Sequence, residues 1–282
     1  MKIGLIGAGR MCRSLAKTLS DAGYSVVAVS SRNYSKAQYL QGMIEGLAVY
    51  EEPQSVVDAS DVIFLTVSDS QIKDVCDSIK WNEKKTVIHC SGATTIDSLD
   101  HAKEQNASVG IMHPSASFTD TPRSIRCISF GIAGDEEAIN IINDFAEKLE
   151  CKTLKITDSG LYHAGCCIVS NYIDTLLNKV ADLWTTMGID KEQSKEALLP
   201  MMQSVLDNLK AKKLSEVLTG PISRNDVSTI KKHLESIDKI DDDAGKIYRM
   251  LGKETVRYAL SNDQIDAEEA FGLIKILDEK EA

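Results

Sequence analysis

The sequence predicts an α/β fold: a doubly wound sheet followed by an all-helical C-terminal domain. Three observations carry this. Strand-like and helix-like patterns alternate up to about residue 157, a glycine-rich turn follows the first strand, and strand signals vanish from about residue 158. The expected domains are therefore 1–157 and 158–282. The first strand is KIGLI at 2–6, and the amphipathic run RMCRSLAKTLSDA at 10–22 is the first helix. Further strands are expected at 25–30, 62–67, 86–89, 108–112, 127–132 and 152–156. Several are near-continuous apolar runs, such as VIFLTV at 62–67, the pattern of strands covered on both faces. Helical periodicity fills 35–41, 71–79 and 135–149 between them. Strand–helix alternation of this kind builds a doubly wound sheet. The second half reads as helices at 160–187, 191–210, 225–236, 243–260 and 267–278. They are separated at Gly188, at LTGPISRND and at SND.

The bulk composition excludes several classes. The chain has 282 residues, enough for two modest domains, and a formal charge of −10. An acidic chain without a basic run gains nothing from counterion release, so neither nucleic acid nor an anionic membrane is an expected partner. The cysteines (Cys12, Cys76, Cys90, Cys127, Cys151, Cys166 and Cys167) number seven and form no C-x-x-C pair. That is neither a disulfide framework nor a zinc spacing. With no signal-like start and no apolar run of about 18 residues, a soluble cytoplasmic protein is expected.

The turn GLIGAGRMC is the most informative stretch. A Rossmann turn uses one glycine for the tight bend, a second for close approach of a pyrophosphate and a third for helix–strand packing. Gly7 and Gly9 supply the first two, and Cys12 stands at the third. A thiol is small enough to pack there, with the helix displaced slightly. Gly7, Ala8, Gly9, Arg10 and Met11 would then meet a dinucleotide at the helix N-terminus. The second strand ends in SSRNYSK, without the acid that would hold the ribose hydroxyls of NAD. Ser31 and Arg32, with Lys36 a turn later, suit a phosphate instead, so NADP(H) is the expected cofactor. Val67 and Ser68, and the Ser91–Gly92 turn, are expected beside the same cofactor. The plain alternatives are a structural glycine turn and a solvated Arg32.

The segments GLIGAGRMCRSLA, SSRN, LTVSDSQI and HCSGA resemble the N-terminal half of the 6-phosphogluconate dehydrogenase-like superfamily. MHPSASFTD, YHAGCCIVSNY, ALLPMM and LTGPISRNDVSTIKKHL resemble, more narrowly, a predicted oxidoreductase family. In that family a Rossmann-like NADP-binding domain precedes a helical domain of long-unassigned function. Alternative ketopantoate reductases share the arrangement. The resemblance implies a reductase of a small carbonyl compound, with ketopantoate as the named candidate. It also implies a homodimer, which would cover the apolar faces of the long helices.

The run 160–187, read as one helix, places His163, Cys167, Ser170 and Asp174 on one stripe, with Asn171 at its edge. The superfamily carries a lysine four residues before such an asparagine, where this chain has Cys167. Reduction of a carbonyl needs a proton donor at the oxygen. His163 is the first candidate and His113, in MHPS at a strand end, the second. Asn171 and Ser170 would hydrogen-bond the substrate. Arg224, with Thr219, would anchor its carboxylate, unless that loop is only a Gly-Pro turn with Asn225 or Asp226 as a helix cap. Nothing in the spacing of His113, His163 and Cys167 requires a metal, and none is expected. The functional alternatives are a pyrroline-carboxylate-like imine reductase, a redox sensor that binds NADP(H) without turnover, and a structural Rossmann protein.

Overall fold

The first unit is built around central strands that are buried on both faces. The computed structural model describes residues 1–279. It opens with β1 (Lys2–Ile6), α1 (Arg10–Asp21), β2 (Ser25–Ser30), α2 (Tyr34–Gln41), β3 (Ala48–Tyr50) and α3 (Pro53–Ala59). Then come β4 (Val62–Leu65), α4 (Ile72–Asp77), β5 (Thr86–His89), α5 (Asp100–Glu104) and β6 (Ser108–Pro114). β7 (Ser129–Gly134), α6 (Glu136–Lys148), β8 (Lys152–Lys155) and α7 (Ser159–Val169) complete it. The eight strands form one sheet in the order β3-β2-β1-β4-β5-β6-β7-β8. The chain runs from β1 to β2 and β3 on one side, then returns to β4 on the other. The crevice at the carboxyl ends of β1 and β4 is the switch point where such sheets bind ligands.

Every residue of β4 and of β5 is buried. One sheet face packs Phe64, Ile88 and Phe130 against Leu15 and Leu19 of α1 and Phe145 of α6. The other packs Ile63, Leu65 and Val87 against α3, α4 and α5. In α1 the buried Cys12, Leu15, Ala16 and Leu19 follow helical spacing, which fixes the face it turns to the sheet. Truncating Leu19 to alanine there would cost about 2–5 kcal/mol. Asp135 caps α6 by accepting from the Ala138 N–H (3.1 Å) and also accepts from the Val109 N–H of β6 (2.7 Å).

The structure refines the sequence expectations. β1, β2 and β5 occupy the expected residues. β3, α3 and α5 were not expected. They are elements of three, seven and five residues, too short for periodicity to reveal. The strand expected at 127–132 begins two residues later, because Cys127 takes a left-handed φ of 58° that no strand accommodates. It also pairs antiparallel with β6, in an otherwise parallel sheet.

The single helix expected over 160–187 is a correction: it is two helices, α7 and α8 (Asn171–Thr185). Ser170 leaves the helical region at φ −120°, ψ −77°. Its hydroxyl donates to the Cys166 carbonyl at 2.6 Å. It follows the β-branched pair Ile168–Val169 and precedes an asparagine, residues that weaken a helix by crowding or by competing for its backbone. The compact first unit accordingly runs from Met1 to Ser170 and includes α7, and the second starts at Asn171.

The second unit is helical: α8, α9 (Lys191–Ala211), α10 (Val227–Asp238), α11 (Asp242–Ser261) and α12 (Ala267–Asp278). Aspartates set the starts of four of these. Asp190, Asp226, Asp241 and Asp266 each accept from a backbone N–H of the first turn. Ile230, Leu234, Val256, Ala259, Leu273 and Leu277 form the core of α10–α12. A Cβ on Gly252 would lie 2.9 Å from Leu277, so α11 and α12 approach closely there. Among the described residues, no helix is long and apolar enough to cross a membrane.

Candidate active site

The glycine turn after β1 is held by its neighbours. Gly7 has φ +107°, and a Cβ there would lie 2.6 Å from the Thr66 carbonyl oxygen, so only glycine fits. Its N–H donates to the Ser30 carbonyl (2.8 Å) and its own carbonyl accepts from Thr66 Oγ1 (3.2 Å). Cys12, at the position of the third glycine, is fully buried, and its thiol donates to the same Gly7 carbonyl at 3.1 Å. Burial pushes this thiol up to about 12, so it stays protonated. The cysteine thus braces the turn.

Gly9 differs. A Cβ there meets nothing nearer than the Thr66 carbonyl at 4.0 Å. It is also the N-cap of α1 and offers no side-chain acceptor to the first-turn N–H groups. Open space beside uncapped donors, with positive helix polarity, fits a diphosphate.

A recess of about 530 Å³ runs from this turn along the ends of β2 and β4. Ala8, Ser31, Arg32, Lys36, Val67 and Ser68 line it. Among the described residues no carboxylate pairs with Arg32 or Lys36, so their charges are available to an anion. Asn33 caps α2 by accepting from the Lys36 N–H, which fixes the lysine on the first turn. Glu51 and Glu52 also line the recess. The sequence reading missed them because they follow β3, a strand it did not contain.

A second cleft of about 360 Å³ shares Gly9, Thr66, Val67 and Ser68 with the recess. It is further lined by Arg10, Met11, Ser91, Gly92, His113 and His163. The two candidate histidines therefore meet in one place, with ring centroids 5.9 Å apart and edge to face. Gly92 makes this possible. A Cβ there would lie 2.9 Å from His163 Cδ2 and 3.0 Å from His113 Nε2. Arg10 is turned outward in a pair with Asp120 (Nε to Oδ1, 2.9 Å).

His113 Nδ1 lies 2.9 Å from the Tyr162 hydroxyl, which lies 2.8 Å from Ser115 Oγ. Burial, then the neighbouring His163, bring His113 down to about 4, with Asp69 acting the other way. It is neutral at pH 7. Burial raises Tyr162 above the usual phenol value. The tyrosine ring lies over Gly131, where a Cβ would be 2.5 Å from its oxygen. His163 Nδ1 faces Cys167 Sγ at 3.8 Å. Beneath the Ser91–Gly92 turn, His89 is fully buried, its Nδ1 accepting from the Ser91 N–H at 3.3 Å. Sequence reasoning found His113 and His163 but missed Tyr162, Ser115 and His89.

The residues lining this cleft all belong to the first unit. The stripe from His163 to Asp174 does not exist, because the helix ends between them. Ser170 closes α7, whereas Asn171 opens α8. Thr219 and Arg224 are exposed in the α9–α10 connection of the second unit, where Asp226 caps α10 through the Thr229 N–H (3.1 Å). Among the described residues no cluster of three metal-ligating side chains occurs.

Residues 2–92 match the family described as NADP oxidoreductase, coenzyme F420-dependent. Residues 128–255 match a domain of unknown function, DUF2520. The metalloreductase STEAP3 of Rattus norvegicus is 31% identical over 106 residues, 38% of this chain. The chain spans about a fifth (21%) of the length of that relative. A candidate NADP oxidoreductase of Bacteroides fragilis shares the fold at TM-score 0.69 and 20% identity, over 89% of this chain and 95% of the other. A 1-pyrroline-5-carboxylate reductase of Streptococcus pyogenes does so at TM-score 0.62 and 17% identity, over 98% of each chain. The two matches put an NADP oxidoreductase-type domain before a domain of unknown function, the order expected of a Rossmann domain followed by a helical one.

Proposed function

We propose that this chain, which joins an NADP oxidoreductase domain to a DUF2520 domain, catalyses NADP(H)-dependent reduction of a small carbonyl or imine compound. One observation carries the reading. The recess at the Gly7–Gly9 turn and the cleft at Gly92, where His113 and His163 meet, share Gly9, Thr66, Val67 and Ser68 in their walls.

Gly7 to Met11 would hold the pyrophosphate by backbone donors, and Ser31, Arg32 and Lys36 the ribose phosphate. Val67, Ser68, Ser91 and Gly92 would flank the nicotinamide end. When bound, the cofactor supplies the hydride. The chain must then supply a proton at the substrate heteroatom and keep water out. His113, neutral in its half-buried site, offers an N–H to an oxygen or nitrogen without adding charge to the cleft. His163, braced by Cys167, orients the substrate from the α7 side.

A ketopantoate-like 2-keto acid is carried by sequence resemblance alone. A pyrroline-carboxylate-like imine is favoured by the likeness to the Streptococcus pyogenes reductase. Exposed apolar residues on α9 (Leu199, Met201, Val205 and Leu206) support self-association as a homodimer.

The test is consumption of NADPH, followed at the nicotinamide absorbance band, across 2-keto acids and cyclic imines. Turnover that falls about 100-fold or more in His113→Ala or His163→Ala supports the enzyme. Tight NADPH binding without turnover across the panel would replace it with the sensor.

A further inference from the structure

We infer that Tyr162 and Ser115 form a proton relay that fixes the tautomer of His113 and refills it from solvent. The inference rests on the reductase reading for its chemistry, but its geometry stands alone. His113 sits at the end of β6 with its Cδ2–Nε2 edge against Gly92, on the cleft wall. Its other nitrogen, Nδ1, is 2.9 Å from the Tyr162 oxygen. That oxygen is 2.8 Å from Ser115 Oγ, and Ser115 is exposed. Three hydrogen-bonding groups thus run from the cleft to the surface. The tyrosine is held in line by its T-shaped contact with His113 (centroids 5.5 Å) and by the missing side chain at Gly131.

The chain needs such a path. A neutral imidazole that gives up its N–H alone becomes an imidazolate, which is too basic to form at neutral pH. Taking a proton at Nδ1 as Nε2 loses one avoids that state. The relay proceeds as follows. The substrate oxygen or nitrogen gains a bond to hydrogen as the His113 Nε2–H bond breaks. Nδ1 takes the Tyr162 proton, Tyr162 takes the Ser115 proton, and Ser115 takes one from water. One solvent proton is consumed per hydride delivered by the nicotinamide cofactor, and both side chains end neutral. His113 is left as the Nδ1–H tautomer, and it is reset once product leaves, when water in the cleft protonates Nε2 as Nδ1 returns its proton through Tyr162 and Ser115 to solvent. The groups facing His113 are His163, Tyr162 and Asp69. Of these, the Tyr162 hydroxyl is the group within hydrogen-bond distance of Nδ1. Tyr162 and Ser115 are positioning residues in this scheme, and His113 is the group that meets the substrate.

The test uses the full-length protein without cofactor, with ¹⁵N-labelled histidine. Wild type should show His113 with an unprotonated Nδ1 and a protonated Nε2 between about pH 6 and 8. Tyr162→Phe keeps the ring over Gly131 but should lose this single tautomer. In turnover with NADPH it should lower kcat about 10- to 100-fold with KM nearly unchanged. Ser115→Ala should keep the tautomer and lower kcat less, since water can take the serine's place. A protonated Nδ1 in wild type, or an unchanged tautomer in Tyr162→Phe, overturns the relay. The wild-type spectrum decides even if Tyr162→Phe does not fold. Absence of turnover on every substrate would instead sink the reductase reading and leave the tautomer result standing.

Discussion

Acid should unfold the first unit through His89. The imidazole is fully buried, and burial brings it down to about 4 from the usual 6.5. Its Nδ1 accepts from the Ser91 N–H, so the ring is neutral with its proton on Nε2. Protonation would add a hydrogen at Nδ1 and turn that acceptor into a donor facing a donor. The sign follows from the depressed value. Above 6.5 neither state binds this proton and the full stability is present. As pH falls toward about 4, the unfolded chain binds it and the native chain does not, so stability is lost. The full gap is worth about 3 kcal/mol, and about 2 kcal/mol of it is lost between pH 7 and 4.5. The assay is urea unfolding at a series of pH values, read by Trp81, which is 5% exposed in the first unit. A Trp184→Phe background leaves Trp81 as the only tryptophan. His89→Asn keeps an acceptor for Ser91 and removes the titration. It should be less stable than the background at pH 7, yet lose about 2 kcal/mol less on going to pH 4.5. His113 titrates in the same window and is present in both proteins, so the difference between them reports His89 together with its repulsion from His113. Equal acid loss in the two proteins would refute the reasoning.

Two further outcomes are expected. Gly7→Ala must place a Cβ 2.6 Å from a backbone oxygen at φ +107°, so it should cost more than about 2 kcal/mol in urea unfolding and abolish NADPH binding. Wild-type stability and affinity would show that the turn is more plastic than its geometry. Arg32→Ala should weaken NADPH about 10-fold or more by calorimetry while leaving NADH unchanged, since a charge-assisted pair is worth about 1.5–3 kcal/mol. An equal loss for both coenzymes would remove Arg32 from phosphate recognition.

The sheet was legible because its central strands carry their signal internally. A run such as VIFL is apolar on both faces, and β4 is buried on both. The helix starts of the second half were legible for a similar reason: an aspartate at a cap acts on the residues next to it, so SRND at 223–226 and IDDD at 240–243 mark their own boundaries. What escaped was set by partners distant in sequence. β3 has three residues and exists because β2 offers it a ladder. The break at Ser170 was hidden by a period that continues on either side of it. A hydrophobic pattern reports faces, and a one-residue interruption hardly changes it.

The site was half legible for the same cause. The glycine turn and the two histidines stand at places a topology rule can point to: the first strand end, a later strand end, and the helix that follows the sheet. Tyr162 stands next to His163, a turn of 100° away, so a stripe drawn through His163 excludes it. Its partners come from elsewhere. Gly131 faces it only because β7 runs antiparallel beside β6, pairing Gly131 with His113. That pairing sets the glycine beside the histidine, and the missing side chain admits the phenol ring that reaches Nδ1. An antiparallel strand at that point in the sheet is therefore the structural cause of the histidine's environment, and no periodicity within 127–134 announces its direction.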